Sequence, residues 1–464
     1  MFLINDDHID KTAVVCDDGS LITYKELKKL VEDFGNNFEN RSLVFLLGSN
    51  NLASLVCYLS CLEYDLVPLL LSENINDAQL SNLIDVYSPK YIFSKRILDN
   101  NSYSLQASFD KSSLFLNDKV RKANLHNDLA LLSTTSGSTG SSKLVKLTKK
   151  NIQSNAESIS DYLEISCEDR AITSLPINYS YGMSIINSHL VSGGSIILSS
   201  LSMMEENFWR SINDFSATSL AGVPFHYEMM LRLGIDNLNI PTIKKMTQAG
   251  GKLNYKKALK LNNSLQMKGI DFYIMYGQTE ATSRISYLPC ESVKMKPHSI
   301  GISIPGGKLW LENEEGIKIS NSKVIGEMIY EGPNVSMGYA ESIGDLGTED
   351  VNKGILKTGD LAYFDEEGYY FLEGRKKRFI KVFGNRISLD SLEKLISTMG
   401  FEVIATGEDD KIVIYVKESP SLSIADLRRK VSESISINMI AIELIPVNDF
   451  PRFESGKINY NSLK

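Results

Sequence analysis

Two stretches of this sequence combine residue types that could do chemistry. The first is Leu132-Ser133-Thr134-Thr135-Ser136-Gly137-Ser138-Thr139-Gly140-Ser141-Ser142-Lys143, which crowds hydroxyls and glycines after an apolar run. Gly137 and Gly140 free the backbone to approach an anion closely. The hydroxyls of Thr135, Ser136, Ser138 and Thr139 and the exposed N–H groups supply donors, and Lys143 adds a point charge. This is the composition of a loop that wraps phosphates. The second stretch, Phe272-Tyr-Ile-Met-Tyr-Gly-Gln-Thr-Glu-Ala281, runs from a strand-like segment into Gly277 and three polar residues. Tyr276 can offer a ring face to a base, Thr279 a hydroxyl to a phosphate, and Glu280 a carboxylate to a hard cation such as Mg²⁺.

The elements that must position these groups can be read from apolar spacing. Leu129–Leu132 predicts a short buried strand before the loop. Ile152, Ala156, Ile159 and Leu163, spaced by four, three and four, predict an amphipathic helix after it, so the loop is expected to join a strand to a helix. The pattern is not a Walker A loop, because Ser142 stands where the second glycine of that motif would be. Leu21–Leu27 opens a helix with Thr23 as cap and Glu26 completing a capping box. From residue 43 to about 200, apolar runs at Leu43–Leu47, Tyr91–Phe93, Ala171–Leu175 and Ser195–Ser199 alternate with helical stretches, which predicts α/β layering with largely parallel sheets. Residues 95–127 are polar and weakly patterned and read as a surface excursion. Ala217–Pro224 and Thr247–Leu253 read as strands ending in small residues, which permit a flat ligand to approach in the crevice at a sheet's carboxyl end. Residues 378–464 read as a small α+β unit with strands at Glu402–Thr406 and Lys411–Lys417 and a helix over Ile424–Ile435.

At 464 residues the chain suits two or three domains. Its 43% hydrophobic and 23% charged content is that of an ordinary globular protein, and no apolar run approaches the roughly 18 residues that span a bilayer. A net charge of −8 argues against nucleic acid as a partner. No secretory segment is evident at the N-terminus, and membrane insertion is not expected. The cysteines at 16, 57, 61, 167 and 290 form no CxxC and stand near no His cluster, so they read as small core residues in a reducing cytoplasm.

The order Thr-Ser-Gly-Ser-Thr-Gly-x-x-Lys resembles the signature loop of the adenylate-forming superfamily of acyl-CoA synthetases, peptide-synthetase adenylation domains and luciferases. Further blocks resembling that family follow in the family's order over nearly the whole chain. The resemblance implies a large N-terminal domain of layered α/β subdomains with mostly parallel sheets plus a distorted β-barrel, residues 1–376, and a small mobile α+β C-terminal domain, residues 377–464. It implies an ATP site in which the 133–143 loop holds the departing pyrophosphate and Tyr276, Thr279 and Glu280 meet adenine, α-phosphate and Mg²⁺. Ala249, Gly250 and Gly251 would border adenine, beside Gly277. Asp360, which by itself reads as a turn residue capping its own backbone, would hold the ribose hydroxyls, with Arg375 alongside. Leu175-Pro-Ile-Asn-Tyr-Ser-Tyr-Gly-Met-Ser184 would supply the acyl pocket, with Tyr179 as aromatic gate, Met183 and Gly222 in its wall, and Asn178 and Ser180 giving it a mixed character. Gly326–Tyr339 matches a block whose role in the family is mainly structural. Lys377 would be the hinge, Gly384 would lie in the loop that serves thioester formation, and Lys457 would be the catalytic lysine.

The expected reaction is ATP-dependent activation of a carboxylic acid as acyl-AMP, followed by transfer to a thiol. The acceptor is CoA or the phosphopantetheine of an acyl carrier protein. Little basic clustering in the C-terminal unit and no carrier domain after residue 464 favour a separate carrier. An amino-acid adenylation enzyme loading a stand-alone carrier is the alternative, although Tyr181-Gly182-Met183-Ser184 lacks the Asp with which such enzymes hold the amine. The other is a non-catalytic nucleotide-binding scaffold, against which Lys457, Glu280 and Asp360 together argue.

Overall fold

The computed structural model describes residues 1–4, 6–39, 41–97, 102–117, 119–120, 123–134, 143–376, 378–383, 385–408, 410–419, 423–435, 437–453 and 456–463. The chain divides into two compact units, Met1–Lys308 with Tyr330–Leu356, and Leu309–Ile329 with Lys357–Lys464.

The described residues of the first unit form two large sheets. In one, the strands Asp271–Tyr276, Lys245–Gln248, Ser219–Gly222, Arg170–Ile172, Ser195–Ile197 and Thr12–Val15 lie side by side and parallel, with antiparallel strands at either edge. In the other, Leu129–Thr134, Val67–Ser72, Leu43–Gly48 and Tyr91–Ser94 are parallel. Every residue of Leu43–Gly48 is buried, as expected of a strand covered on both faces. Helices Tyr24–Gly35 and Ser180–Val191 pack on the first sheet, Leu52–Glu63 and Lys149–Tyr162 on the second, and the pairs pack on each other. Leu52–Glu63 and Ser180–Val191 are therefore buried nearly all round, which suits their apolar sequences. Thr23 caps the first helix in a full capping box with Glu26.

Two expectations are corrected here. The 133–143 loop leads into a strand, Leu144–Thr148, antiparallel to Leu129–Thr134, before the helix begins at Lys149. Its residues Leu144, Val145 and Leu147 are buried, Lys146 is anchored on the Asp345 and Thr348 carbonyls, and Gly338–Ala340 pairs antiparallel on its outer edge. Residues 95–127 include a hairpin, Ser104–Phe109 and Ser112–Leu116, that extends the same sheet and buries Leu114 and Leu116.

The second unit carries a sheet containing Ile355–Phe364 and Tyr370–Arg375 as an antiparallel pair. It also carries a three-stranded sheet, Val403–Glu408, Lys411–Lys417 and Ile442–Val447, the last two parallel. Helices Leu389–Thr398 and Ile424–Ile435 close a core of Leu392, Ile396, Ile412, Ile414, Leu427 and Val431. The overall class is α/β with mostly parallel sheets in the large unit and α+β in the small C-terminal part.

Candidate active site

In the first unit, the candidate residues come together because neighbouring parallel strands end together. Gly222 pairs with Gln248, and Gln248 with Ile274, so Gly222, Ala249–Gly251 and Tyr276–Gly277 leave the sheet side by side at its carboxyl end. Small residues are required there. A Cβ on Gly222 would lie 2.9 Å from the Tyr227 ring, and Gly250 adopts φ of 79°. Tyr179, the N-cap residue, and Met183 in the first turn of the helix Ser180–Val191 are fixed to the same edge. Tyr181 donates to the Thr247 carbonyl at 2.8 Å, and Ser174 to that of Ala221 at 2.5 Å. Burial pushes the Tyr181 phenol up to about 12, so it stays a neutral donor. Met183 is buried, while Asn178, Tyr179 and Ser180 are half-buried.

Beyond Tyr276 the chain folds back tightly. A Cβ on Gly277 would come within 1.8 Å of the Ser283 carbonyl oxygen, so only glycine lets the two backbones meet. Asn334 holds the returning segment by donating to the carbonyls of Ala281 and Arg284, and Thr282, at φ of 61°, donates to the Asn334 carbonyl. A β-branched residue in the left-handed region persists only where surroundings dictate it. Within this frame Thr279 sits 3.4 Å from the Ser180 hydroxyl, and the Ser336 N–H donates to the Glu280 carbonyl.

Tyr339 was expected to be structural, and its side chain does more. Its hydroxyl donates to Glu280 Oε1 at 2.7 Å, while Lys143 Nζ lies 3.9 Å from its ring centroid and 3.5 Å from Glu341. One aromatic ring thus touches both the lysine that ends the phosphate-type loop and the carboxylate suited to a cation. No short sequence window could have revealed this, since 59 residues separate Tyr339 from Glu280. Thr135, Ser136, Gly137, Ser138, Thr139, Gly140, Lys377 and Gly384 lie outside the described residues.

In the second unit, Asp360 is not in a tight turn. It lies inside the strand Ile355–Phe364, directly opposite Arg375, next to Gly359 at φ of 70°. Asp360 is 4% exposed and lies 3.1 Å from Arg375 Nε. Strand pairing continues through this segment because its backbone groups find partners across the ladder. Lys457 follows Gly456, at φ of 77°, in a small loop closed by Phe453 N–H to the Lys457 carbonyl and flanked by a bridge between Arg452 and Ile458.

Among the described residues no three His, Cys, Asp or Glu side chains gather as a metal cage. A Mg²⁺ held by Glu280 and by phosphate oxygens fits this donor set, because Mg²⁺ commonly uses one or two carboxylates plus substrate phosphates. All five cysteines are unpaired, and burial pushes the thiols of Cys16, Cys57 and Cys290 up, away from nucleophilic thiolates. No described helix is long and apolar enough to cross a membrane.

The chain is 25% identical over 377 residues to an oxalate–CoA ligase of Arabidopsis thaliana, covering 78% of this chain and 72% of that one. It is 25% identical over 397 residues to a 2-succinylbenzoate–CoA ligase of Enterococcus faecalis, covering 84% and 79%. Its fold superposes on ATP-bound MatB from Rhodopseudomonas palustris with a TM-score of 0.78 at 22% identity, over 99% of this chain and 96% of that one. A family model described as AMP-binding enzyme matches residues 4–340. With most of its length inside that match, the chain belongs to the AMP-binding enzyme family, as an ATP-dependent acid–thiol ligase.

Proposed function

We propose that this enzyme activates a small, polar carboxylic acid as its acyl adenylate and passes the acyl group to the thiol of CoA. A carboxylate acylates poorly because its leaving group would be oxide, and bonding to AMP replaces that leaving group. The displacement at the α-phosphate gathers negative charge on oxygen, so catalysis rests on positioning and electrostatics without a protein nucleophile. The observation that carries this reading is the Lys143–Tyr339–Glu280 contact, which supports a site where a cation for phosphate and a carboxylate for Mg²⁺ are held in register. Bound Mg²⁺ supplies charge neutralisation at the phosphate oxygens. Thr279 contacts the α-phosphate, Tyr276 faces adenine beside Gly250 and Gly251, Asp360 accepts from the ribose hydroxyls with Arg375 beside it, and Lys457 neutralises charge between the acid and the α-phosphate. Tyr179, Met183 and Gly222 line the acyl pocket. Residues 377–464 turn about Lys377 between the two half-reactions, which brings the Gly384 loop to the thioester step.

The names of the relatives support CoA as acceptor, and the acids in them, oxalate and 2-succinylbenzoate, each carry two carboxyl groups. The test is ATP–pyrophosphate exchange over short mono- and dicarboxylic, hydroxy, aryl and amino acids, then product analysis with CoA or with phosphopantetheinylated carrier protein. Exchange with one acid class and acyl-CoA formation is the expected result. Carrier-only transfer moves the acceptor, and ATP binding with no exchange for any acid returns the scaffold reading.

A further inference from the structure

Arg284, four residues beyond Glu280, is 2% exposed, and among the described residues no carboxylate pairs with it. Among the described residues its Nη1 donates to the Ser283 hydroxyl at 2.5 Å and makes a long 3.4 Å approach to the Ser283 carbonyl, the Tyr162 hydroxyl also interacts with its side chain, and its Nε is buried without a hydrogen-bond partner. The guanidinium stacks 4.0 Å from the ring centroid of Tyr181, on the same turn as Tyr179 and Met183. It also lines a cavity of about 30 Å³ that is walled mainly by apolar side chains such as Ile159, Leu163, Ile185 and Met275, with Tyr181, Ser184 and Thr247 adding polar atoms, room for one small group. Asp169 is the one carboxylate among the described residues lining that cavity, and it is already engaged by Lys245 at 3.7 Å and by the Ser166 N–H at 2.9 Å.

Arginine keeps its charge at any pH where the protein is folded, and burying an unpaired cation is costly. Stacking on Tyr181 offsets part of that cost. The fork of N–H donors suits a planar anion, which a carboxylate meets in two-point contact. We propose that Arg284 is a specificity residue that receives a second carboxylate of the substrate, so the enzyme's acids are dicarboxylates whose distal group enters the wall formed by Arg284 and Tyr181. The proposal rests on the acid-activating reading above and narrows its substrate class.

The test compares matched acids on the wild-type enzyme, Arg284→Met and Arg284→Lys: succinate with monomethyl succinate and butyrate, glutarate with pentanoate, and phthalate with benzoate. Two readouts are taken, ATP–pyrophosphate exchange and the rise in Tm on adding each acid without ATP. The wild type is expected to favour at least one dicarboxylate over its neutral counterpart by about 10²-fold in kcat/KM, the scale on which breaking a buried charge pair acts. Arg284→Met should lose that preference through KM while using the monoacids within a few-fold of wild type, with Arg284→Lys intermediate. A wild type that uses monoacids as well as dicarboxylates, or a Met variant that loses all acids equally, overturns the proposal while leaving acid activation standing. If exchange is silent yet a dicarboxylate stabilises wild type and not Arg284→Met, the anion site stands and the ligase reading falls. If Arg284→Met does not fold, the wild-type comparison alone decides.

Discussion

The candidate residues of the two units are held in different ways. In the first unit, Tyr276, Thr279 and Glu280 leave a strand buried in a parallel sheet and are fixed by Asn334, Ser336 and Tyr339, which lie over fifty residues away in sequence. In the second, Lys457 rides on a loop closed by its own neighbours, Phe453 and Gly456. The difference teaches that preorganisation is built where charge must be met at a fixed point, while a local turn suffices to present one cation on a small unit. A group braced by several contacts tolerates the loss of one of them.

The largest effect that follows is at Lys457. Lys457→Ala is expected to lower the rate of acyl-adenylate formation by about 10²-fold or more, the scale of one electrostatic contact made in the transition state. Near-normal pyrophosphate exchange in that variant would take Lys457 out of the adenylation step. Asp360→Asn comes next. Replacing the buried acceptor should raise KM for ATP by about 30-fold with a smaller change in kcat, since charged hydrogen bonds to the ribose would be lost from ground and transition states alike. An unchanged KM would take Asp360 out of the nucleotide site.

Tyr339→Phe sharpens the comparison most directly. It keeps the ring under Lys143 and removes the hydroxyl that bonds Glu280, so kcat should fall by about 3- to 10-fold with a raised Mg²⁺ requirement. A loss as large as that of Lys457→Ala would break the contrast between a carboxylate held by distant residues and a lysine presented on a local loop. The smallest effect on activity concerns stability. His189 is buried on the helix Ser180–Val191, bonded to the Ile185 carbonyl and the Ser219 hydroxyl, and burial lowers its pKa to about 4. The unfolded chain then binds the extra proton first, so stability is present above the unfolded pKa of about 6.5 and is lost as pH falls toward 4, by roughly 3 kcal/mol. Tm measured across that window should drop, and His189→Gln should flatten the slope. An identical slope in the variant would assign the acid loss to other groups, His226 first, whose pKa burial lowers in the same way.

Much of this molecule is legible in its sequence because the signals are local. Thr23 with Glu26 announces a capped helix, and Leu43–Leu47 a buried strand. Each depends on residues a few positions apart. The strand at Leu144–Thr148 was less visible because a five-residue apolar alternation beside a strong helical period is easily absorbed into the helix. Asp360 looked like a turn residue because Gly359 beside it carries a turn's backbone angle, while its strand character depends on pairing with Arg375.

What the sequence by itself determined is the inventory: a hydroxyl- and glycine-rich loop, a Tyr-Gly-x-Thr-Glu string, an aspartate and a lysine in the right order, and elements whose periods demand layered α/β packing. Only the tertiary structure decided that Tyr339 joins Glu280 to Lys143 and that Arg284 is sealed beside Tyr181 with no carboxylate partner among the described residues. Hydrogen bonds and desolvation depend on distance and dielectric in space, and separation along the chain carries neither.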